Sequence, residues 1–262
     1  LEDDLIDNVF LITGSSGGMI GASYLRELYY QKQKGKDVNY LAPNFVENMH
    51  TDLLNPIAYS FSLNDWLFKF TRFEYKGQKY YKDRAYTFEE KLNQNTGFLL
   101  DKPISEYREL EKNAEIPMMI LTPTIINDGR RLIISPQDVS YFVANAFSRR
   151  GNLLPNVEFR KMYKDCNADS LRFLTALRMN ATFPYVAPIV ALPGEPQLQV
   201  MDAGLRDTYG LSTSLQFHYI FRDWISYNTD GVIFLQLTEE ESVKTKTDKR
   251  SVFLQFLQPM GT

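Results

Sequence analysis

Five small residues, Gly14-Ser15-Ser16-Gly17-Gly18, separate the apolar run Asn8-Val9-Phe10-Leu11-Ile12-Thr13 from an amphipathic pattern that opens at Met19. A strand that turns at once into a helix through Gly-x-Ser-x-Gly has the layout of a nucleophile elbow, with the serine forced onto a tight turn above a sheet. The glycines are expected to be needed for space, since a side chain at Gly14 or Gly18 would meet the adjoining strand and helix. The turn sets the Ser16 hydroxyl at a helix N-terminus, where backbone N–H groups and the macrodipole favour developing negative charge. Ser16 is the first candidate for a nucleophile, with Gly14, Gly17 and Gly18 shaping the elbow and the Gly17 N–H placed as an oxyanion donor.

At 262 residues the chain can bury one large core, or a core with an elaborated cap. Its 29 basic and 32 acidic side chains leave a net charge of −3, which gives nucleic acid no broad basic surface. The single cysteine, Cys166, excludes an internal disulfide and a cysteine-rich metal site. The two histidines, His50 and His218, form no His-x-x-x-His pair, so no metal and no cofactor are expected. No apolar run is long enough to span a bilayer, and no basic-then-apolar leader is present. One cysteine fits a reducing interior, so the cytoplasm, or the cytoplasmic side of a membrane, is the expected location. The chain opens on Leu1, with fifteen residues ahead of Ser16, and reads as a piece of a longer protein truncated at its N-terminus.

The spacing predicts a strand over 8–13 and a helix over 18–33, closed by Lys32, Lys34 and Gly35. Residues 41–100 are crowded with Phe45, Tyr59, Trp66, Phe70 and Phe73, and read either as a cap over an acyl-binding groove or as a second layer of core. Asn64-Asp65 is placed to start a short helix at Trp66, Tyr75 to Tyr81 reads as a hairpin tip, and Thr87 with Glu90 suggests a capping box opening a helix over 87–95. A strand from Ile116 to Ile126 follows, with Pro123 marking a bulge or an edge and Asn127-Asp128-Gly129-Arg130 making a hairpin turn. Further helices are expected from Ser135-Pro136-Gln137-Asp138, over Asp169 to Met179 with Asp169 or Ser170 as cap, and over 212–226. Pro184 and Pro188 break the second of these. Strands are expected at Gln197 to Met201, at Gly231 to Leu237 and, beyond a charged linker, at 251–257.

Asp202 is the second candidate, because it ends a short strand, where open α/β sheets gather their ligands. Ala203 and Gly204 let the backbone turn sharply beyond it and leave the carboxylate uncovered. An aspartate that merely starts a turn is the plain alternative. Three segments together decide the comparison: Gly14-Ser15-Ser16-Gly17-Gly18-Met19-Ile20-Gly21, Leu177-Arg178-Met179-Asn180-Ala181-Thr182-Phe183-Pro184, and Asp202-Ala203-Gly204-Leu205-Arg206-Asp207. They resemble, in order and separation, the elbow, the approach to the second catalytic strand and the Asp-Gly-Gly or Asp-Gly-Ala signature of patatin-like phospholipases.

The resemblance implies a three-layer α/β/α sandwich with a mostly parallel central sheet and an inserted aromatic-rich cap. It places a hydrolase domain at 1–237, the insertion at about 41–100, and a linker with a final strand or tail at 238–262. It further implies a serine–aspartate dyad cleaving lipid esters without histidine, in which Ser16 attacks and Asp202 takes its proton. Lipid or another acyl ester is then the partner, at a membrane surface where that substrate lies. Ala203 stands where the family usually has glycine, and nothing in residues 1–13 matches the family's glycine-rich oxyanion loop. Two alternatives follow: a noncatalytic lipid-binding or assembly domain on the same fold, and an esterase with a Ser16-Asp202-His218 triad.

Overall fold

The structure is a computed structural model that describes residues 5–50, 72–82, 84–144, 156–182, 190–191 and 198–238. The expected helix at Trp66, the break at Pro184 and Pro188, the charged linker and the strand at 251–257 lie outside these residues.

The described chain is a mixed α/β body built on small sheets. Its strands are β1 (Leu11–Thr13), β2 (Arg72–Tyr75), β3 (Gln78–Tyr81), β4 (Met118–Ile120), β5 (Thr124–Ile125), β6 (Leu132–Ile133), β7 (Val157–Glu158), β8 (Val190–Ala191) and β9 (Gln199–Met201). Its helices are α1 (Ser16–Gln33), α2 (Pro43–His50), α3 (Arg84–Asn95), α4 (Arg108–Lys112), α5 (Tyr141–Ala144), α6 (Phe159–Met162), α7 (Phe173–Ala181) and α8 (Leu211–Asn228). β1 pairs parallel to β4 with Leu11 opposite Met118, and β6 pairs parallel to β7. An antiparallel bridge between Leu121 and Ile134 joins the two pairs. β9 runs antiparallel between β5 and β8.

Local chemistry accounts for most of these elements. α1 stops where Gly35 takes a φ of +81°, its N–H returning to the Lys32 carbonyl at 2.9 Å. Lys76 and Gly77, at φ +50° and +80°, make the two-residue turn that pairs β2 with β3. Pro123 parts β4 from β5, and Gly129 at φ +73° closes the hairpin that sets Thr124 against Arg131.

The core lies where α1 and α7 pack against β4 and β9, around Ile20, Leu121, Leu177 and Val200. Tyr80, Leu92 and Leu100, from the aromatic stretch, belong to the same cluster. Its described part is therefore continuous with the core. Buried charges reinforce that joint, since Glu89 of α3 receives Arg172 and Arg178 of the α7 region at 3.1 Å each.

Four expected elements differ. α3 begins at Arg84, which puts Thr87 inside it, and Glu90 reaches Arg172 at 3.3 Å instead of closing a capping box. Ser135 and Asp138 bond the N–H groups of Gln137 and Ser140, and those local turns delay helix formation to Tyr141. α7 starts at Phe173 because Asp169 is taken by Arg108 and Arg160, while Arg172 is extended and bridged to Pro103. Gly231 to Leu237 forms no strand: Ile233 is 93% exposed and has no ladder partner among the described residues. High β-propensity needs an edge to pair with.

Candidate functional site

Ser16 has a φ of +53°, the left-handed region that a serine enters only where surrounding structure holds it. It is the first residue of α1, and Ser15 before it is extended at φ −131°. The Ser15 hydroxyl offers no cap to α1, because it donates to the Thr208 carbonyl. The first turn of α1 carries no acidic side chain, and Gly17 and Gly18 lie exposed there. N–H groups of a first helical turn precede the start of intrahelical bonding, so Gly17 and Gly18 present donors to an incoming anion.

Space is needed at other glycines than expected. A Cβ on Gly17 or Gly18 would touch nothing within 4 Å, and one on Gly14 would meet only the flexible Met19 side chain at 3.1 Å. The crowded position is Gly210, the residue before α8. Its φ is +71°, and a Cβ there would lie 2.4 Å from the Gly14 nitrogen and 2.5 Å from the Thr13 carbonyl carbon. The Thr13 hydroxyl completes this contact, donating to the Gly210 carbonyl at 2.8 Å and meeting the Ser214 hydroxyl at 2.6 Å. The elbow is thus braced from behind by the start of α8.

Asp202 follows β9 directly and is 2% exposed. Its Oδ1 accepts the Gly204 N–H at 2.6 Å, its own N–H donates to the Thr182 carbonyl at 2.9 Å, and its carbonyl accepts the Thr124 hydroxyl at 3.2 Å. Burial raises the carboxyl above its ordinary range, while the Gly204 N–H and the Ser16 hydroxyl pull it back. The elbow lies beside this carboxylate, since the same point, a Cβ on Gly204, would stand 2.9 Å from Asp202 Oδ1 and 3.5 Å from the Ser15 hydroxyl oxygen. No hydrogen bond joins Ser16 to Asp202, and Oδ2 is buried without a hydrogen-bond partner. Ala203 is fully buried, and a Cβ on Gly204 would press on Asp202 Oδ1 at 2.9 Å, so the small residues permit the turn as expected, but the carboxylate expected to be uncovered is buried beneath it.

His218 lies within α8, its ring edge-on to Phe234 at 5.6 Å and its buried Nδ1 without a hydrogen-bond partner. Among the described residues no hydrogen bond links it to Asp202 or Ser16. Residues missed from sequence are Asn180, Gly210 and Thr13. A polar Asn180 in the apolar pattern of Leu174, Leu177 and Met179 was the available signal for the first. An opening of about 550 Å³ beside Tyr24, Leu28 and Phe45 lies farther along α1, about 12 Å or more from Ser16 by helical rise, and is separate from this pair. No group of three or more potential metal ligands occurs among the described residues, and no described helix is long and apolar enough to cross a membrane. Comparison with protein-family profiles, with curated proteins and with solved structures found no match.

Proposed function

We propose that this chain is a serine acyl hydrolase of patatin-like type, cleaving lipid carboxylic esters through an acyl-enzyme on Ser16. The observation that carries the reading is a serine held at positive φ on a helix N-terminus, in an elbow that lies beside a buried carboxylate nearly two hundred positions away. The parallel β1–β4 pair and flanking α1 and α7 fit the three-layer α/β/α arrangement that such an enzyme would have.

In the reaction, the Ser16 oxygen bonds to the ester carbonyl carbon as Asp202 accepts the hydroxyl proton. That proton passes to the departing alcohol as the carbon–oxygen bond breaks. Water then repeats the sequence on the acyl-enzyme, releasing free acid and restoring Ser16. A carboxylate is a weak base toward an alcohol, and burial of Asp202 brings its basicity closer to the task. The Gly17 and Gly18 N–H groups stabilise the oxyanion, each such donor being worth about 3–4 kcal/mol.

Turnover of a short-chain chromogenic ester tests the dyad. Expected are loss of activity in Ser16→Ala and a fall of about 10²–10⁴-fold in Asp202→Asn. An Asp202→Asn enzyme of full strength would reject it.

A further inference from the structure

Asn180 is 0% exposed, near the end of a helix whose neighbouring positions Leu174, Leu177 and Met179 are buried and apolar. Asparagine is a poor helix former, and burying its amide is costly unless both ends are bonded. Here both are. Oδ1 accepts the Thr122 N–H at 2.9 Å, and the Nδ2–H donates to the Gly14 carbonyl at 3.2 Å.

Two residues on, the Thr182 carbonyl receives the Asp202 N–H at 2.9 Å, and the Thr182 hydroxyl ties back to the Arg178 carbonyl at 2.7 Å. Thr124, two residues past Thr122, binds the Asp202 carbonyl. The elbow and the aspartate thus hang from the same two segments, the end of α7 and the β4–β5 junction.

We propose that Asn180 is a positioning residue that fixes the elbow backbone against α7 at the height where the Ser16 hydroxyl faces the Asp202 carboxylate. This deepens the acyl-hydrolase reading and rests on it for the kinetic consequence. The Asp202 carboxylate accepts the Gly204 N–H at 2.6 Å through Oδ1, and its buried Oδ2, with no hydrogen-bond partner, is left for the Ser16 hydroxyl. Asp207, on the same loop, is engaged by Arg131 at 3.6 Å and by the Ser212 and Thr213 N–H groups.

The test follows the Asp202 carboxyl carbon by NMR titration in the wild-type chain, Asn180→Ser, Ser16→Ala and the double variant. Each single change takes the serine hydroxyl from the carboxylate, so each raises the titration midpoint, and the double variant raises it no further than Ser16→Ala. Fluorophosphonate labelling of Ser16 falls about 10–100-fold in Asn180→Ser. A variant that melts earlier yet leaves Asp202 titrating as in wild type reduces Asn180 to a packing residue and overturns the proposal. Should Asn180→Ser fail to fold, the wild-type chain decides: slow exchange of the Asn180 side-chain amide protons is required, and rapid exchange overturns it. Midpoints that move as expected in a chain whose Ser16 never labels would keep the positioning role and remove the acyl-hydrolase reading.

Discussion

At Asp202, burial and hydrogen bonding act in opposite directions, and burial dominates. A carboxyl whose folded pKa exceeds its unfolded value costs stability once ionised. That cost is absent below the unfolded pKa and complete above the folded one. Asp202→Asn keeps an acceptor for the Gly204 N–H and removes the charge. It should therefore raise Tm at neutral pH, with the gain disappearing on acidification, as melting curves from about pH 3 to about pH 8 would register. On the proposed mechanism, turnover should run the other way, falling as pH drops through the raised Asp202 pKa, and the amide variant should lack the base. Ser16 carries a comparable conflict in its backbone, at φ +53°. Ser16→Gly should gain about 1 kcal/mol in urea unfolding by relieving it, whereas Ser16→Ala should not. Equal stability of the two variants would mean that the elbow is unstrained.

Among the elements, the junction of β1, α1 and α8 is the least tolerant. Gly210→Ala adds a methyl group at 2.4 Å from backbone and forces alanine to a φ of +71°, so a loss of about 2–6 kcal/mol is expected. Gly18→Ala meets open space in a helix and should be neutral or gain up to about 1 kcal/mol. Chemical denaturation of the pair separates crowding behind the elbow from crowding in front of it. Strand–elbow–helix was legible because glycines and apolar periodicity are local signals. The β2–β3 hairpin and the turn at Gly129 were legible for the same reason. Helix starts at Ser135 and Asp169 were misread because side chains that look like caps are engaged elsewhere, Asp169 by Arg108 and Arg160 across the fold. Gly210 gave no warning, since its crowding comes from a strand almost two hundred residues earlier.

Across the whole molecule, the aromatic stretch bears on how the body unfolds. Tyr80, Leu92 and Leu100 share a core with Leu177 and Val200, and Glu89 is buried between Arg172 and Arg178. Glu89→Ala should cost about 3 kcal/mol by taking a buried carboxylate from between Arg172 and Arg178, with Arg172 keeping Glu90 and Asp101. It should lower a single cooperative calorimetric transition; a separate early transition would mark the stretch as an independent cap. The two motifs that carry Ser16 and Asp202 were legible, but the bonds that Asn180 and Thr182 make to their backbones were not, because those bonds depend on the approach of three segments distant in sequence. The Ser16–Asp202 pairing is tested most directly by mapping the adduct of a fluorophosphonate by peptide mass. One adduct on the peptide containing Ser16, absent in Ser16→Ala and formed about 10²–10⁴-fold more slowly in Asp202→Asn, is the expected result. Labelling at another serine, or at Ser16 with a rate indifferent to Asp202, would contradict it.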